Sequence, residues 1–386
     1  MDHAAGMPVD PRVFEAMKPY FVENYGNPSS SHSLGASARN ALMESREKVA
    51  RLIGAEKPEE IIFTSGGTES NNLAIKGVAY RNKEKGNRII TTAIEHMSVM
   101  NICKHLQKQG FEITYVPVDK QGVVDLERLK DKITDRTIII SVMYANGEIG
   151  TTQPIREIGK IAHENQICFH VDAVAAAGKI PINVQEENID LLSISSNDMY
   201  GPKGLGALYI KKGTRIQPVI QGGGQERGLR SGTENISGIV GMGKAAEIAQ
   251  EEMVVEGRRL SQLRDKLIKG VLDTIERSYL NGHLTKRLPN NANLRFSYIE
   301  GESLILGLDM LGIQVSSGSA CTSKTLEPSH VLLAIGLAHE EAHGSLVFTL
   351  GKQNSEEDVD YVLEGLPNVV KRLRAMSPLT PKEMLR

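Results

Sequence analysis

Between residues 61 and 210, short apolar runs alternate with longer stretches whose apolar residues recur at helical spacing. No other feature restricts the fold as much. Strands are read at Ile61–Thr64, Arg88–Thr92, Glu112–Val116, Thr137–Met143 and 167–171, with further apolar runs at 189–194 and 207–210. Helices are read at 69–85 and 98–109, ended by Gly86 and Gly110, and at 154–165, opened by Pro154. Strands joined through helices run parallel, and a parallel sheet must be covered on both faces. The expected architecture is therefore an α/β fold with a mostly parallel sheet. Ligands of such sheets sit beyond the carboxyl ends of the strands.

The flanks read differently. Asp10-Pro11 opens a helix expected to reach about residue 24, and a long amphipathic helix spans 35–53, closed by Gly54. From about Glu234 a long helix leads into a smaller α+β region. That region holds strands at 293–298 and 313–316 and a final helix after Ser355. The expected division is a large domain over 13–255 and a small one made of 1–12 and 256–386.

Composition excludes some functions. A net charge of −2 over 386 residues argues against non-specific nucleic-acid binding. No apolar run approaches the roughly 20 residues a membrane helix needs, and the N-terminus has no signal-peptide pattern. Three scattered cysteines, Cys103, Cys168 and Cys321, suit reduced thiols and a cytoplasmic protein. Cys103 reads as a helix-face residue and Cys168 as a strand-core residue, both inert. Cys321 lies in Ser-Gly-Ser-Ala-Cys-Thr-Ser-Lys, small and polar surroundings that leave a thiol exposed.

Several residues stand where an α/β enzyme places its working groups. The turn Ser65-Gly66-Gly67-Thr68-Glu69 follows a strand and opens a helix, so it is either an anion site or only a tight turn. Asp172 ends a strand, as a site carboxylate or as a cap for the segment after it. His96 follows a strand, in a structural or a proton-handling role. The stretch 193–204, Ser-Ile-Ser-Ser-Asn-Asp-Met-Tyr-Gly-Pro-Lys-Gly, runs from an apolar strand into a chain-breaking turn.

That stretch, with the Cys321 segment, resembles the cysteine desulfurases of the class-V aminotransferase family, fold-type I enzymes that use pyridoxal phosphate (PLP). The resemblance implies several roles. Gly67 and Thr68 form the cofactor-phosphate turn, with Ser195 and Thr233 as further phosphate donors. Thr233, in Arg-Ser-Gly-Thr, reaches over from the other subunit, which implies a homodimer. Asp172 pairs with the pyridine nitrogen, Asn146 contacts the cofactor, and His96 stacks on the ring and handles protons. Cys321 becomes a persulfide and passes sulfur to an iron–sulfur scaffold protein.

The resemblance also fails at definite places. The family's turn reads Ser-x-His-Lys-x-x-Gly-Pro-Lys-Gly, and its first Lys holds PLP as a Schiff base. Here Asn197 and Asp198 stand at the His and Lys positions. Gly147, Ala175 and Val347 replace an Asn, a Gln and the substrate-carboxylate Arg, and Ala5-Gly6-Met7 replaces Ala-Thr-Thr. A carboxylate cannot form an imine, so covalent PLP is not expected. Asp172 and Asp198 are expected to share a proton or a bridging water. The main expectation is an iron–sulfur assembly protein that has lost autonomous desulfuration. Cys321 would then supply a persulfide or a thiolate ligand to a 2Fe-2S cluster shared with the scaffold. The alternative is a working desulfurase with non-covalent PLP and another base in place of the lysine.

Overall fold

The computed structural model describes residues 1–317 and 327–385. Seven strands form the larger sheet: β1 Ile61–Thr64, β2 Arg88–Thr92, β3 Glu112–Val116, β4 Thr137–Met143, β5 Cys168–Asp172, β6 Leu191–Ser195 and β7 Gly206–Ile210. Their order is β1-β7-β6-β5-β4-β2-β3. β7 runs against both its neighbours and the other pairs are parallel, so the mostly parallel α/β fold expected from the alternation is present. The central strands are Ile-, Leu- and Val-rich and buried along their whole length, as a sheet covered on both faces requires.

The smaller sheet is antiparallel, in the order β10-β9-β8, with β8 Ser278–Asn281, β9 Asn291–Phe296 and β10 Ser345–Thr349. The segment 313–316 adds only an isolated bridge, Ser316 to Val347, rather than a strand. The N-terminus runs beside β10, where Asp2 bridges Thr349. The helix expected over 10–24 is two pieces, Pro11–Met17 and Pro19–Val22, because Pro19 has no N–H to continue the first.

One helix, Ile236–Thr274, spans both parts. Its N-terminal half, through Ile239, Met242 and Ala246, packs into the core under the large sheet. Its C-terminal half, through Leu260, Leu263 and Leu267, packs into the separate core of the small sheet. Position 255 thus lies inside a continuous helix, where Val254 and Val255 are exposed between the two cores.

A buried ion pair ties the helix Ser33–Ile53 to the sheet edge. Arg46 donates to both carboxylate oxygens of Glu226, at 2.7 and 2.8 Å. The Phe63 amide of β1 donates to the same carboxylate at 2.9 Å.

Candidate active site

The parallel strands deliver their carboxyl ends to one cavity of about 810 Å³. The Ser65–Thr68 turn follows β1, His96 follows β2, and Asp172 and Ser195 end β5 and β6. All of these residues line the cavity, with Gly67, Asn146 and Asp198.

The turn after β1 opens the helix Gly67–Arg81, whose first N–H groups have no partner within the helix. Gly66 sits at φ 148°, where a side chain is disfavoured, and a Cβ there would meet nothing within 4 Å. The Ser65 amide is taken by the Glu69 carboxylate at 2.7 Å, so the Gly67 and Thr68 amides at the helix start are the ones that make a cradle for an anion. Arg230 binds Glu69 of the same helix at 2.8 Å, which holds the 230–233 segment nearby. Thr233 itself is exposed and does not line the cavity of its own chain.

Asp172 is buried. Its Oδ2 accepts from Asn71 at 2.7 Å and its Oδ1 from the Val174 amide at 3.1 Å. Burial pushes its carboxyl up, against the pull of the Val174 N–H, His96 and Asn71. The Oδ1 of Asn71 is buried without a partner. His96 caps the helix Met97–Gln107, and its Nδ1 accepts the Ser98 amide, so the neutral ring carries its proton on Nε2. Asn146 borders the cavity with its amide committed. Nδ2 donates to the Ile94 carbonyl at 2.9 Å and to Met143 Sδ, and Oδ1 accepts the Glu148 and Ile149 amides. The cofactor contact expected of Asn146 finds no unused polar atom there.

Asp198 stands close enough to Asp172 for the Asp172 charge, after burial, to help raise its carboxyl. Its Oδ2 accepts from Asn197 at 2.9 Å, and Asn197 Oδ1 accepts from Ser195 at 2.6 Å. Its Oδ1 lies 3.8 Å from Lys179 Nζ, with only 11 % and 14 % of the two side chains exposed. Burial pushes the Asp198 carboxyl up and the Lys179 ammonium down, and each charge opposes the shift of the other. Sequence reading missed Lys179, which lies well beyond the strand end at Asp172. It also missed Asn71, one turn into a helix. Val347, Ala175 and Gly147 all line the cavity.

Cys321 lies outside the described residues. Cys103 is buried and Cys168 half-buried. Burial pushes the Cys103 thiol up to about 12 and raises that of Cys168 as well, so neither is a ready thiolate. Among the described residues no group of three or more His, Cys, Asp or Glu is placed to hold a metal.

Two further carboxyls line the cavity wall. Glu95 accepts from Thr92 Oγ1 and the Met143 amide, and Glu148 from Ser329 Oγ, while one oxygen of each has no partner. Burial pushes both up to about 8. A carboxyl whose folded pKa is raised stabilises most below its unfolded value, and that contribution is lost as pH rises toward 8. Glu95→Gln, which cannot ionise, is therefore expected to gain stability relative to the parent between pH 5.5 and 8. The gain should be on the order of 2–3 kcal/mol. Urea denaturation at the two pH values checks this, and an unchanged difference would place the Glu95 titration outside that window.

The comparisons with known proteins agree with this geometry. The description Aminotransferase class-V matches residues 1–362. The chain is 59 % identical to cysteine desulfurase IscS 1 of Archaeoglobus fulgidus over 98 % of both chains. This protein belongs to the cysteine desulfurases of the class-V aminotransferase family. A solved NifS-like protein superposes with a TM-score of 0.90 at 41 % identity, over 96 % of this chain and 99 % of that one. A structure of SspA in complex with cysteine gives 0.80 at 36 % identity, over 90 % and 97 %. The family is PLP-dependent and serves iron–sulfur cluster assembly. The cavity fits that cofactor: an open anion cradle stands at a helix start, and a buried carboxylate at the end of β5. No helix among the described residues is long and apolar enough to cross a membrane.

Proposed function

We propose that this chain is a working cysteine desulfurase that holds PLP without a covalent bond at position 198. It takes sulfur from L-cysteine onto Cys321 and passes it to an iron–sulfur scaffold partner, acting as a homodimer. One observation carries the reading: a single cavity at the strand ends keeps the phosphate cradle and Asp172 together, although Asp198 offers a carboxylate in place of an amine. The comparisons favour retained activity over its loss.

PLP, when bound, supplies an electron sink next to the substrate's α-carbon. The amides of Gly67 and Thr68 would hold its phosphate, with Thr233 of a second subunit. Asp172, kept in place by Asn71 and Val174, would hold the ring nitrogen. Ser195 must turn its hydroxyl away from Asn197 to donate to the phosphate. L-cysteine and the Cys321 thiol together yield alanine and a Cys321 persulfide, a balance that needs no outside oxidant.

The test is cofactor absorbance on the purified protein, followed by L-cysteine turnover. PLP is expected to bind, to be lost on extensive dialysis, and to leave no covalent mass on the denatured chain. Alanine should form in the parent and not in Cys321→Ser. Asp198 favours a second reading, in which PLP chemistry is lost and Cys321 supplies one thiolate to a partner-held 2Fe-2S cluster. In that case no alanine forms, while Cys321→Ser still lowers the cluster content of the complex with the scaffold.

A further inference from the structure

A desulfurase with a carboxylate at position 198 needs another group to take the proton from the substrate's α-carbon. The geometry points to Lys179 as the proton-accepting base of this cavity, with Asp198 as the residue that positions it. The inference rests on the desulfurase reading and names a residue that the reading leaves open.

Lys179 follows Gly178, which sits at φ 74°, a conformation that favours glycine. This turn directs the lysine back toward the strand ends. It lines the main cavity together with Asp172, His96 and Asp198. Its Nζ donates to the Ala175 carbonyl at 3.2 Å. The Asp198 carboxylate, at 3.8 Å, is within ion-pair range but beyond a direct hydrogen bond. An ammonium has three protons to place and an amine has two. A buried site with one close acceptor and one distant carboxylate therefore tolerates the neutral amine well. Lys104, which also borders the cavity, is exposed, and water solvates its charge.

A structural ion pair is the simpler account of two opposite charges that meet under cover. Two features go beyond it. The pair stands on the wall of the cavity where the substrate must lie, and Asp198 is itself oriented by the Ser195–Asn197 chain. Asp198 is the charge that acts on Lys179; the other titratable groups on the main cavity are Asp172, His96, Glu69, Glu95, Glu148, Lys104, Glu327 and His330, with Glu252, Glu256 and Lys352 across a smaller adjoining one.

The step balances as a proton transfer. The lone pair of Nζ takes the α-proton of bound L-cysteine, the C–H bond breaks, and its electron pair stays with the carbon. Asp198 offsets the ammonium charge that forms, and the same proton is available for return to the product. Nothing is oxidised or reduced in this step.

The experiment compares the full-length parent with Lys179→Gln, Asp198→Asn and the double variant, which removes both buried charges and guards against a folding defect. On protein free of cofactor, competitive acetylation across pH with peptide mass spectrometry should show Lys179 titrating below the exposed lysines. With PLP and L-cysteine, Lys179→Gln should keep KM within about 3-fold and lose at least about 100-fold in kcat. Added ethylamine should restore part of that loss. Asp198→Asn removes the carboxylate that holds the ammonium, so the acid limb of its pH profile should move down by about one unit. Parent turnover with an unimpaired Lys179→Gln, or a Lys179 that titrates like a surface lysine, overturns the assignment alone. Bound PLP without parent turnover overturns the desulfurase reading and the assignment together.

Discussion

Replacing Glu226 by alanine is expected to lower the unfolding free energy by about 3–5 kcal/mol. Glu226 is buried in a tight turn and serves three donors: the two arms of the Arg46 guanidinium and the Phe63 amide. Arg46 is equally buried and also lies over the Phe63 ring, 5.0 Å from its centroid. Removing the carboxylate strands a charge and an amide away from water, and those uncompensated groups dominate the loss. Replacing both partners, as in Arg46→Met with Glu226→Leu, should cost far less, because no charge is then left behind. An exposed pair offers the contrast. Breaking Lys130–Glu127, whose side chains are 50 % and 81 % exposed, should leave stability nearly unchanged, because water screens the pair. Urea unfolding of the variants measures all three. A Glu226→Ala loss under about 1 kcal/mol would mean that the turn relaxes and lets water reach Arg46.

Asp198→Lys by itself is expected to change desulfurase turnover by less than about 10-fold, whereas Asp198→Lys with Val347→Arg should exceed the product of the two single changes by about 10-fold or more. The new amine arrives beside Lys179 but takes the place of the carboxylate that positions it, so the gain from one more nitrogen is offset by that loss. Substrate placement is the other deficit. Val347 lies in β10, where Leu346 and Phe348 point into the apolar core of the small sheet and Val347 faces the cavity. An arginine there can pair with the substrate carboxylate in two parallel hydrogen bonds, among the stronger polar contacts. Positioning and chemistry act as a unit, so the gain should appear mainly in combination. Steady-state kinetics of the four proteins decides the matter. A single Asp198→Lys change that raised turnover 100-fold would show that Val347 does not limit the reaction.

Local patterns in the chain specify a good part of this protein. Runs such as Thr-Ile-Ile-Ile-Ser-Val-Met are short, apolar and rich in β-branched residues, which suits central strands, so the strand and helix cadence implied a covered, mostly parallel sheet. A Gly-Gly-Thr turn after a strand and an aspartate at a strand end are also local signals, and the structure places both on one cavity. The polar strand β8, Ser-Tyr-Leu-Asn, carries no such signal, and it forms because β9 offers it an edge. Tertiary structure alone decided which partner each buried charge meets. Arg46 and Glu226 are far apart along the chain, and so are Asn71 and Asp172. Asp198 was expected to oppose Asp172, and that charge does act on it, but it also faces Lys179, because the turn at Gly178 carries that lysine back to the strand ends. Periodicity reports which face of an element is buried. It cannot report which side chain from another element will lie across from it, and in this cavity that pairing sets the chemistry.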